Sequence, residues 1–305
     1  MRSSTDIYRH LISAFILFIF WQSARSQSTD FPIGHLAYQF LDVAEIRDKK
    51  SFSGVIKPYS RSSTFNLIGV PKSDFLKKEL RRYTMDSSLS RKPILRKFYT
   101  YPADMYYYAD KKVQVHFNPL VQFSLGTGND GIGTNFVNSR GIELRGVIDK
   151  KIAFYTSLTE NQARYPAYIN NVRDSTLVVP FEGFWKQYND TGVDFLRAQG
   201  YVDFGLSNSI SAQLGFGKHF VGNGERSLIL SDYANNYPYL RINTKTKIFD
   251  YTNIFAELIG EVQGNAGGTF GTGSFSKKYM AFHHLNVKLK PNLHIGLFES
   301  VMYGA

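Results

Sequence analysis

The chain has 305 residues, a formal net charge of +11 and no cysteine. Without cysteine it can form neither a disulfide framework nor a thiolate metal site, so packing and backbone pairing alone must stabilise it. The length allows one large domain or two small ones. The excess of positive charge favours anionic partners such as acidic polysaccharides or lipid head groups, unless it serves only solubility.

The N-terminus has the pattern of a secretory signal peptide. Arg2 and Arg9 precede the apolar run LISAFILFIFW, and the small residues Ala24 and Ser26 follow it. The run is shorter than the roughly 17–25 residues that a membrane-spanning helix needs, although an uncleaved anchor is the alternative. We therefore expect residues 1–26 to be removed during export across an inner membrane.

Residues 27–100 are predicted to form a small helical segment in the periplasm. The sequence IGHLAYQFLDVAEIRD predicts a helix over 33–48. Its apolar face has Leu36, Phe40 and Val43 at helical spacing, with Ala37, Leu41 and Ala44 beside them. The sequence SDFLKKELRRYTMD predicts a second helix. Nine basic and three acidic residues lie between Lys72 and Lys97. They form either a solvated helix face or a patch that faces anionic lipid or glycan.

From about Tyr101 the helical period gives way to strict alternation, which predicts strands. In KVQVHFNPLVQFSL, apolar residues such as Val115 and Phe123 share one face, and polar residues such as His116 take the other. Pro119 falls in the apolar phase and predicts a bulge or a local break in the ladder. The same alternation recurs near residues 209–216, 283–290 and 293–297.

The predicted connections are alternately short and long. Tight turns are predicted at Asp149-Lys150, Ser207-Asn208, Phe249-Asp250 and Pro291-Asn292. Long loops are predicted at GTGNDGIGTN, from about Asn161 to Gln199, at 217–238 and at QGNAGGTFGTGSFSKK. Short turns on one side and long loops on the other are typical of bacterial outer-membrane barrels. Residues 101–305 are therefore predicted to supply about ten antiparallel strands of a transmembrane β-barrel, with an exported soluble β-protein as the alternative.

One residue conflicts with this pattern in the last predicted strand. Glu299 shares the apolar phase with Leu297 and Val301, and a carboxylate that faces lipid is costly. Either a bulge near Phe298 shifts the register, or Glu299 faces a neighbouring domain.

Motifs for chemistry are absent from the sequence. GTGNDG matches a dinucleotide-binding pattern, but the continuation has the character of a strand rather than a helix. The seven histidines lack the spacing of a metal site, and no nucleophile elbow occurs. Carboxylate pairs for glycoside chemistry depend on spatial separation and stay open. We expect no enzyme, no cofactor, no metal and no nucleic acid partner.

The stretch GKHFVGNGERSLILSDYANNYP at 217–238 is the candidate site. Its shape is predicted to depend on Gly217, Gly222, Gly224 and Pro238. The candidate polysaccharide-binding residues are Lys218, Arg226, Ser227, Ser231, Asp232, Asn235, Asn236 and Tyr237. The loop either braces the barrel as a plug, or presents cations to anionic groups and Asn and Tyr side chains to sugars.

Three stretches carry a resemblance to a known family. They are GKHFVGNGERSLILSDYANNYPYL at 217–240, RGIELRGVIDKKIAFY at 140–155 and HIGLFESVMYG at 294–304. Together they resemble the Wzi family of capsule-assembly outer-membrane proteins, in particular its Bacteroidota branch of gliding-motility RemB-like proteins. The enterobacterial members have a Trp-rich loop where this chain has HFVGNGE.

The resemblance implies an outer-membrane barrel of about eighteen strands, with N-terminal helices near the periplasmic mouth. This chain would then lack C-terminal strands. The resemblance also implies a lectin-like protein that anchors capsular or other surface polysaccharide. One alternative is a structural component of gliding-motility or secretion machinery, whose N-terminal helices bind periplasmic or motility proteins. Another is a channel. In each case outer-membrane lipids would surround the barrel.

Overall fold

The computed structural model describes residues 28–48, 54–61, 104–128, 133–259, 276–290 and 293–304. The predicted signal peptide, the predicted second helix and the basic stretch from Lys72 to Lys97 lie outside these residues. The predicted turn at Pro291-Asn292 lies outside them as well.

The described residues contain two helices and thirteen strands. In chain order these are α1 (Ala37–Asp48), β1 (Ile56–Lys57), β2 (Tyr106–Ala109), β3 (Val113–Gly126), β4 (Asn135–Ile148), β5 (Ile152–Arg164), α2 (Ala167–Thr176), β6 (Lys186–Tyr188), β7 (Gly192–Gly205), β8 (Ile210–Gly217), β9 (Phe220–Val221), β10 (Tyr237–Lys245), β11 (Phe249–Ile259), β12 (Lys277–Lys290) and β13 (Leu293–Gly304). Within the described ranges, neither helix is long and apolar enough to cross a membrane.

Ten strands form one antiparallel meander. Their order is β2-β3-β4-β5-β7-β8-β10-β11-β12-β13, and each strand is hydrogen-bonded to the next. Strand β6 pairs with β7 beside this path, and β1 pairs with β9 in a separate two-stranded sheet. The predicted mainly β, antiparallel fold of about ten strands after a small helix is therefore confirmed.

The connections alternate in length as predicted. The short turn between β4 and β5 has positive φ at Asp149 and Lys150, as a tight hairpin requires. The turn near Ser207 is also confirmed. The turn predicted at Phe249-Asp250 is wrong, because both residues belong to β11: Asp250 pairs with Lys245 of β10, and Phe249 pairs with Val287 of β12. The turn lies at 246–248, where the Thr246 hydroxyl accepts the backbone N–H groups of Ile248 and Phe249.

The long connection from Asn161 to Gln199 is shorter than predicted. Asn161 belongs to β5 and Gln199 to β7, so the connection covers only residues 165–191. It contains the helix α2, which has no counterpart in the sequence-based prediction. Strand β5 is longer than predicted because the alternation of buried and less buried positions continues through the polar residues TENQAR at its end.

The two faces of the sheet differ, and the face that carries most of the polar side chains is buried. We call it the polar face, although it also buries apolar residues such as Ile254, Met280 and Phe282. The other face is largely apolar and exposed. On β8, Gln213 is 1% exposed whereas its neighbour Leu214 is 63% exposed. On β3, His116 is 3% exposed and Phe123 is 65% exposed. In soluble proteins such apolar side chains are usually buried and such polar ones exposed. The predicted alternation is confirmed, and its burial is the reverse of that in a soluble sheet.

The two predicted irregularities are absent from the described ladders. The register between β3 and β4 continues through Pro119, which pairs with Ile142. A strand tolerates proline where its nitrogen is directed away from the paired neighbour. The register between β12 and β13 also continues through Phe298. Glu299 therefore lies on the apolar face with Leu297. Of the two alternatives for this residue, the bulge is wrong, and the neighbouring domain stays a prediction.

Helix α1 buries only part of the predicted apolar set, namely Ala37 and Leu41. Leu36 and Val43 are exposed, while Phe40 packs only at the edge of the core. The buried set consists of Phe31, Ala37, Tyr38, Leu41 and Tyr59. The Tyr38 hydroxyl determines this rotation, because it donates to the Phe31 carbonyl at 2.8 Å and accepts the Tyr59 N–H at 3.1 Å. The spacing of apolar residues alone does not reveal hydrogen bonds of this kind.

The N-terminal segment, residues 28–61 as far as they are described, docks on the polar face through Asp30. Its carboxylate accepts from Arg241 Nη2 at 2.7 Å and from Gln213 Nε2 at 3.1 Å. The Asp30 N–H donates to the Tyr201 hydroxyl at 2.5 Å. Both side chains of the ion pair are nearly buried. This pair therefore connects the start of the chain to the middle of the sheet.

We predict that Arg241→Ala lowers the free energy of unfolding by about 3–5 kcal/mol, because it leaves the Asp30 carboxylate buried without its cation. Urea unfolding of the purified protein, followed by circular dichroism, measures this. Arg140→Ala is the matched control, since its pair with Glu160 is exposed and should contribute little. Equal effects of the two substitutions would contradict the assigned role of Arg241.

Candidate functional site

The loop between β8 and β10, residues 218–236, is fastened to the connection between β5 and β7 at Phe181 and to strand β7 at Ala198. Lys218 Nζ donates to the carbonyl oxygens of Phe181 and Asp232, at 2.7 Å and 3.1 Å. Asn236 Nδ2 donates to the Ala198 carbonyl at 2.6 Å. Burial lowers the pKa of Lys218, against the opposing effect of nearby carboxylates. Lys218 therefore holds the loop in place through an ammonium group that is hydrogen-bonded within the protein.

The two serines of the loop form turns. The Ser227 hydroxyl donates to the Val221 carbonyl and accepts the N–H groups of Ile229 and Leu230. The Ser231 hydroxyl accepts the Tyr233 N–H at 3.2 Å. These bonds explain the spacing in SLILS, since each hydroxyl replaces a backbone partner within its own turn. Both serines are structural in this geometry.

The glycines predicted to shape the loop differ in their roles. Gly222 has a φ of 138°, which favours glycine strongly. Gly217 and Gly224 are not in the left-handed region, although a side chain on Gly224 would crowd the Arg226 carbonyl. The prediction is therefore wrong for the conformation of Gly217 and Gly224. Pro238 is the second residue of β10 and pairs with Phe216, so the predicted strand start is confirmed.

A glycine outside the predicted set also shapes the loop. Gly183 has a φ of 83°, and a Cβ there would collide with the Asn235 side chain. Asn235 also accepts the Asn236 N–H at 2.7 Å through its own Oδ1. Asn235 is thus packed against the neighbouring connection. Gly183 carries no local sequence signal for this role, because the contact joins residues more than fifty positions apart.

Tyr237 is a core residue, which corrects its prediction as a contact for sugars. It is 3% exposed. Its hydroxyl accepts the His219 N–H at 3.1 Å and lies 3.2 Å from His219 Nδ1. His219 is fully buried, and burial, with Arg241 nearby, holds its pKa well below the usual value. The alternation of β10 directs Tyr237 to the polar face, where it packs instead of binding.

The tip of the loop is the part that solvent reaches. Arg226 is exposed there, as are Asn223 and Leu228, and Tyr233 is half-exposed. Of the two predicted cations, only Arg226 is therefore presented to a partner outside the protein. Lys218 lies beneath the tip, against the polar face.

A cavity of about 470 Å³ lies between the loop, the polar face and the N-terminal segment. Predicted residues that line it include Lys218, Asp232 and Asn236. The sheet contributes hydroxyl, amide and aromatic groups, among them those of Tyr155, Ser157, Thr159, Gln199 and Tyr201. The sequence predicted the loop side of this cavity but not its floor or its N-terminal wall.

Charged groups at the cavity are paired within the protein. Arg197 Nε donates to Glu182 Oε2 at 2.8 Å. Glu143 accepts from the Tyr155 hydroxyl at 3.1 Å and lies 3.5 Å from Arg145 Nε. The cavity therefore offers hydrogen-bonding groups rather than unpaired cations.

His35 forms the N-terminal wall of the cavity. Its Nδ1 accepts the Ala37 N–H at 3.1 Å, which caps the start of α1. Burial, with Arg61 and Arg145 nearby, lowers the pKa of His35 to about 4. The imidazole is thus neutral near pH 7, as its role as an acceptor requires.

A buried ionic cluster lies beyond the cavity, before β2. Asp104 Oδ2 lies 2.9 Å from His116 Nδ1, and Asp104 Oδ1 accepts from Arg145 Nη2 at 2.9 Å and from Asn118 Nδ2 at 2.7 Å. Burial would raise the pKa of Asp104, but these partners hold it below the usual value. The three partners lie on β3 and β4, so only the register brings them together.

Comparisons of the chain with protein-family models, curated proteins and solved structures found no match. The similarity to the Wzi family therefore depends on the quoted motifs alone.

We predict that Tyr237→Phe destabilises the protein by about 1–3 kcal/mol, because the buried His219 N–H loses its acceptor. Limited proteolysis should cut the loop between β8 and β10 faster in this variant. Tyr233→Phe removes a hydroxyl from an exposed position in the same loop and should leave the cleavage rate unchanged. Equal rates for Tyr237→Phe and the parent protein would contradict the bracing role.

We predict that His35 makes stability depend on pH. Its pKa is lowered in the folded state from 6.5 to about 4, so its contribution is present above pH 6.5 and is lost as the pH falls toward 4. Asn at this position can keep the acceptor but does not titrate. As the pH falls from 6.5 toward 4, the melting temperature of the parent protein should therefore fall further than that of His35→Asn. A constant difference would rule out this role.

Proposed function

We propose that the chain forms part of the wall of an outer-membrane β-barrel and binds an acidic surface polysaccharide in a lectin-like manner, anchoring it at the cell. The observation that carries the proposal is the reversed burial of the sheet. Polar side chains such as Gln213 and Asn286 are buried on one face, while Leu125, Leu214 and Leu297 are exposed on the other.

Lipid is the environment that such an apolar face suits. The exposed residues lie on consecutive strands from β3 to β13, so they form a band rather than a patch. Alternation of outward apolar and inward polar residues is the pattern of transmembrane barrels. In a bilayer the wall must close, because lipid offers no hydrogen-bond partner to the edges of β2 and β13.

The asymmetry of the connections gives an orientation. In bacterial barrels the short turns face the periplasm and the long loops face the exterior. On this basis the turns at 149–151 and 246–248 are periplasmic, and the loop with Arg226 is extracellular. Strand β1 pairs with this loop, so in this orientation the N-terminal segment reaches across the polar face and is not confined to the periplasm as predicted. The predicted signal peptide agrees with export. An open channel is less favoured, since the N-terminal segment and the loop both cover the polar face.

The polysaccharide assignment combines charge, geometry and resemblance. The exposed residues of the loop include Arg226, Asn223 and Tyr233, which suit the anionic and hydroxyl groups of an acidic polymer, although Glu225 is exposed next to Arg226. The Wzi-like motifs point to the same class of ligand. Weak contacts suffice, because a long polymer repeats its groups and binds multivalently.

The test is binding of the purified full-length chain, in detergent, to the acidic surface polysaccharide isolated from the producing cells. We predict that Arg226→Ala weakens binding roughly 2–5-fold at low salt, as expected for one exposed charge. High salt should weaken binding and remove the difference between variant and parent. Co-sedimentation over a series of salt concentrations measures both effects.

Lys247→Ala is the matched control, because it removes one exposed positive charge from the short turn between β10 and β11. Equal weakening by both substitutions would show that only net charge matters and would overturn the loop assignment. Absence of binding by the parent protein would overturn the lectin assignment itself. The structural component of motility or secretion machinery would then be the better hypothesis.

A further inference from the structure

We infer that the cavity beneath the loop is a subsite for one uncharged sugar unit of the bound polymer. This inference depends on the proposed function, since it assumes that a saccharide reaches the loop. It adds a division of labour: the exposed tip meets the acidic groups, and the cavity receives a neutral ring.

The size of the cavity suits a small polar ligand. Its volume is about 470 Å³, and typical ligand pockets hold about 300–1,000 Å³. It is bounded on one side by the polar face of the sheet and on the other by residues 30–35 of the N-terminal segment. Because these walls are hydrogen-bonded to each other through Asp30, the space is formed before any ligand arrives.

Hydroxyl and amide groups line the floor of the cavity. Ser157 and Thr159 project to the polar face of β5 in alternate positions, and Gln199 lies beside them on β7. Gln199 Nε2 makes a long hydrogen bond of 3.3 Å to the Tyr155 hydroxyl. Such groups both donate and accept, which is what the hydroxyls of a sugar require.

One buried acceptor at the roof is unused. Asn236 donates through Nδ2 to the Ala198 carbonyl, while its Oδ1 is buried without a hydrogen-bond partner among the described residues. A buried polar atom of this kind ordinarily has a partner. A ligand hydroxyl in the cavity could supply the missing donor.

Aromatic rings supply an apolar surface in the same space. Tyr155 and Tyr201 stack with their centroids 5.6 Å apart and their planes 17° apart, and both line the cavity. A tyrosine combines an apolar ring with a polar hydroxyl. The C–H face of a sugar ring matches the first, and its hydroxyls match the second.

The charges of the lining argue against an acidic sugar. Four carboxylates line the cavity, those of Asp30, Glu143, Glu182 and Asp232, against the two cations of Arg197 and Lys218. Arg197 is paired with Glu182, and Lys218 donates to two backbone carbonyls. A uronic acid or a phosphate would therefore meet carboxylates without an unpaired cation.

The test measures binding of free monosaccharides to the full-length chain in detergent by saturation-transfer NMR. The probes are glucose, galactose and N-acetylglucosamine, with glucuronic acid as the charged comparator. We expect at least one neutral sugar to bind, and glucuronic acid to bind at least about tenfold more weakly. Ser157→Phe should abolish the neutral signal by filling the cavity. Ser209→Phe adds the same ring at an exposed turn and should leave the signal unchanged.

Gln199→Leu is the second variant, in case Ser157→Phe does not fold. It keeps the approximate size of the side chain, removes its amide, and should weaken binding of the neutral sugar about tenfold. Equal or tighter binding of glucuronic acid, unchanged binding by folded variants, or no binding of any neutral sugar would each overturn the subsite. If the polymer still bound with its dependence on Arg226, the proposed function would stand without it. If free sugars bound and the polymer did not, the proposed function would fail alone.

Discussion

The reversed burial of the sheet is the constraint on which the rest of the structure depends. A face that buries Gln213, His116 and Asn286 must give each of them hydrogen-bond partners, because an unpaired buried polar group is costly. Part of the supply comes from outside the sheet. Asp30 of the N-terminal segment binds both Gln213 and Arg241, and the Tyr239 hydroxyl donates to Gln213 Oε1 at 2.8 Å. The covering segments therefore supply polar partners such as Asp30, and they also supply apolar residues such as Ile56 and Val221 that pack with Ile254 and Phe282.

The two covering segments are joined to each other as well as to the sheet. Strand β1 of the N-terminal segment pairs with β9 of the loop, and the Gly222 N–H donates to the Val55 carbonyl at 2.9 Å. Lys57 Nζ lies 5.1 Å from the centre of the Phe220 ring. The inner part of the loop is thus fixed, and only the tip around Arg226 is left to solvent. The inner part of the loop therefore braces the structure, and under the proposed function the tip binds the ligand, so the two interpretations apply to different parts of one loop.

Local patterns predicted the parts of the structure that local physics determines. Alternation gave the strands and the two faces, and the turn at Asp149-Lys150 depends on residues that are adjacent in the chain. Apart from the misplaced turn at Phe249-Asp250 and the conformations of Gly217 and Gly224, the errors concern contacts between distant residues. Tyr237 is buried, and its hydroxyl accepts the N–H of His219 at the other end of the loop. The orientation of α1 depends on the hydrogen bond between Tyr38 and Tyr59. The cavity floor combines β5, β7 and the N-terminal segment, so no stretch of sequence contains it.

Because charges on the polar face are paired with one another, different groups would attract the polymer and discriminate between its sugars. Asp30 with Arg241 and Glu182 with Arg197 neutralise each other there, as Asp104 and Arg145 do near β2. Among the described residues, exposed cations such as Arg226 and Lys247 remain outside these pairs. Under the proposed function, such exposed charges attract an acidic polymer regardless of its sequence of sugars, and salt screens them. Neutral hydrogen-bonding groups such as Gln199 and Asn236 would then discriminate between sugars. A sugar that leaves such a buried group without a hydrogen bond binds more weakly.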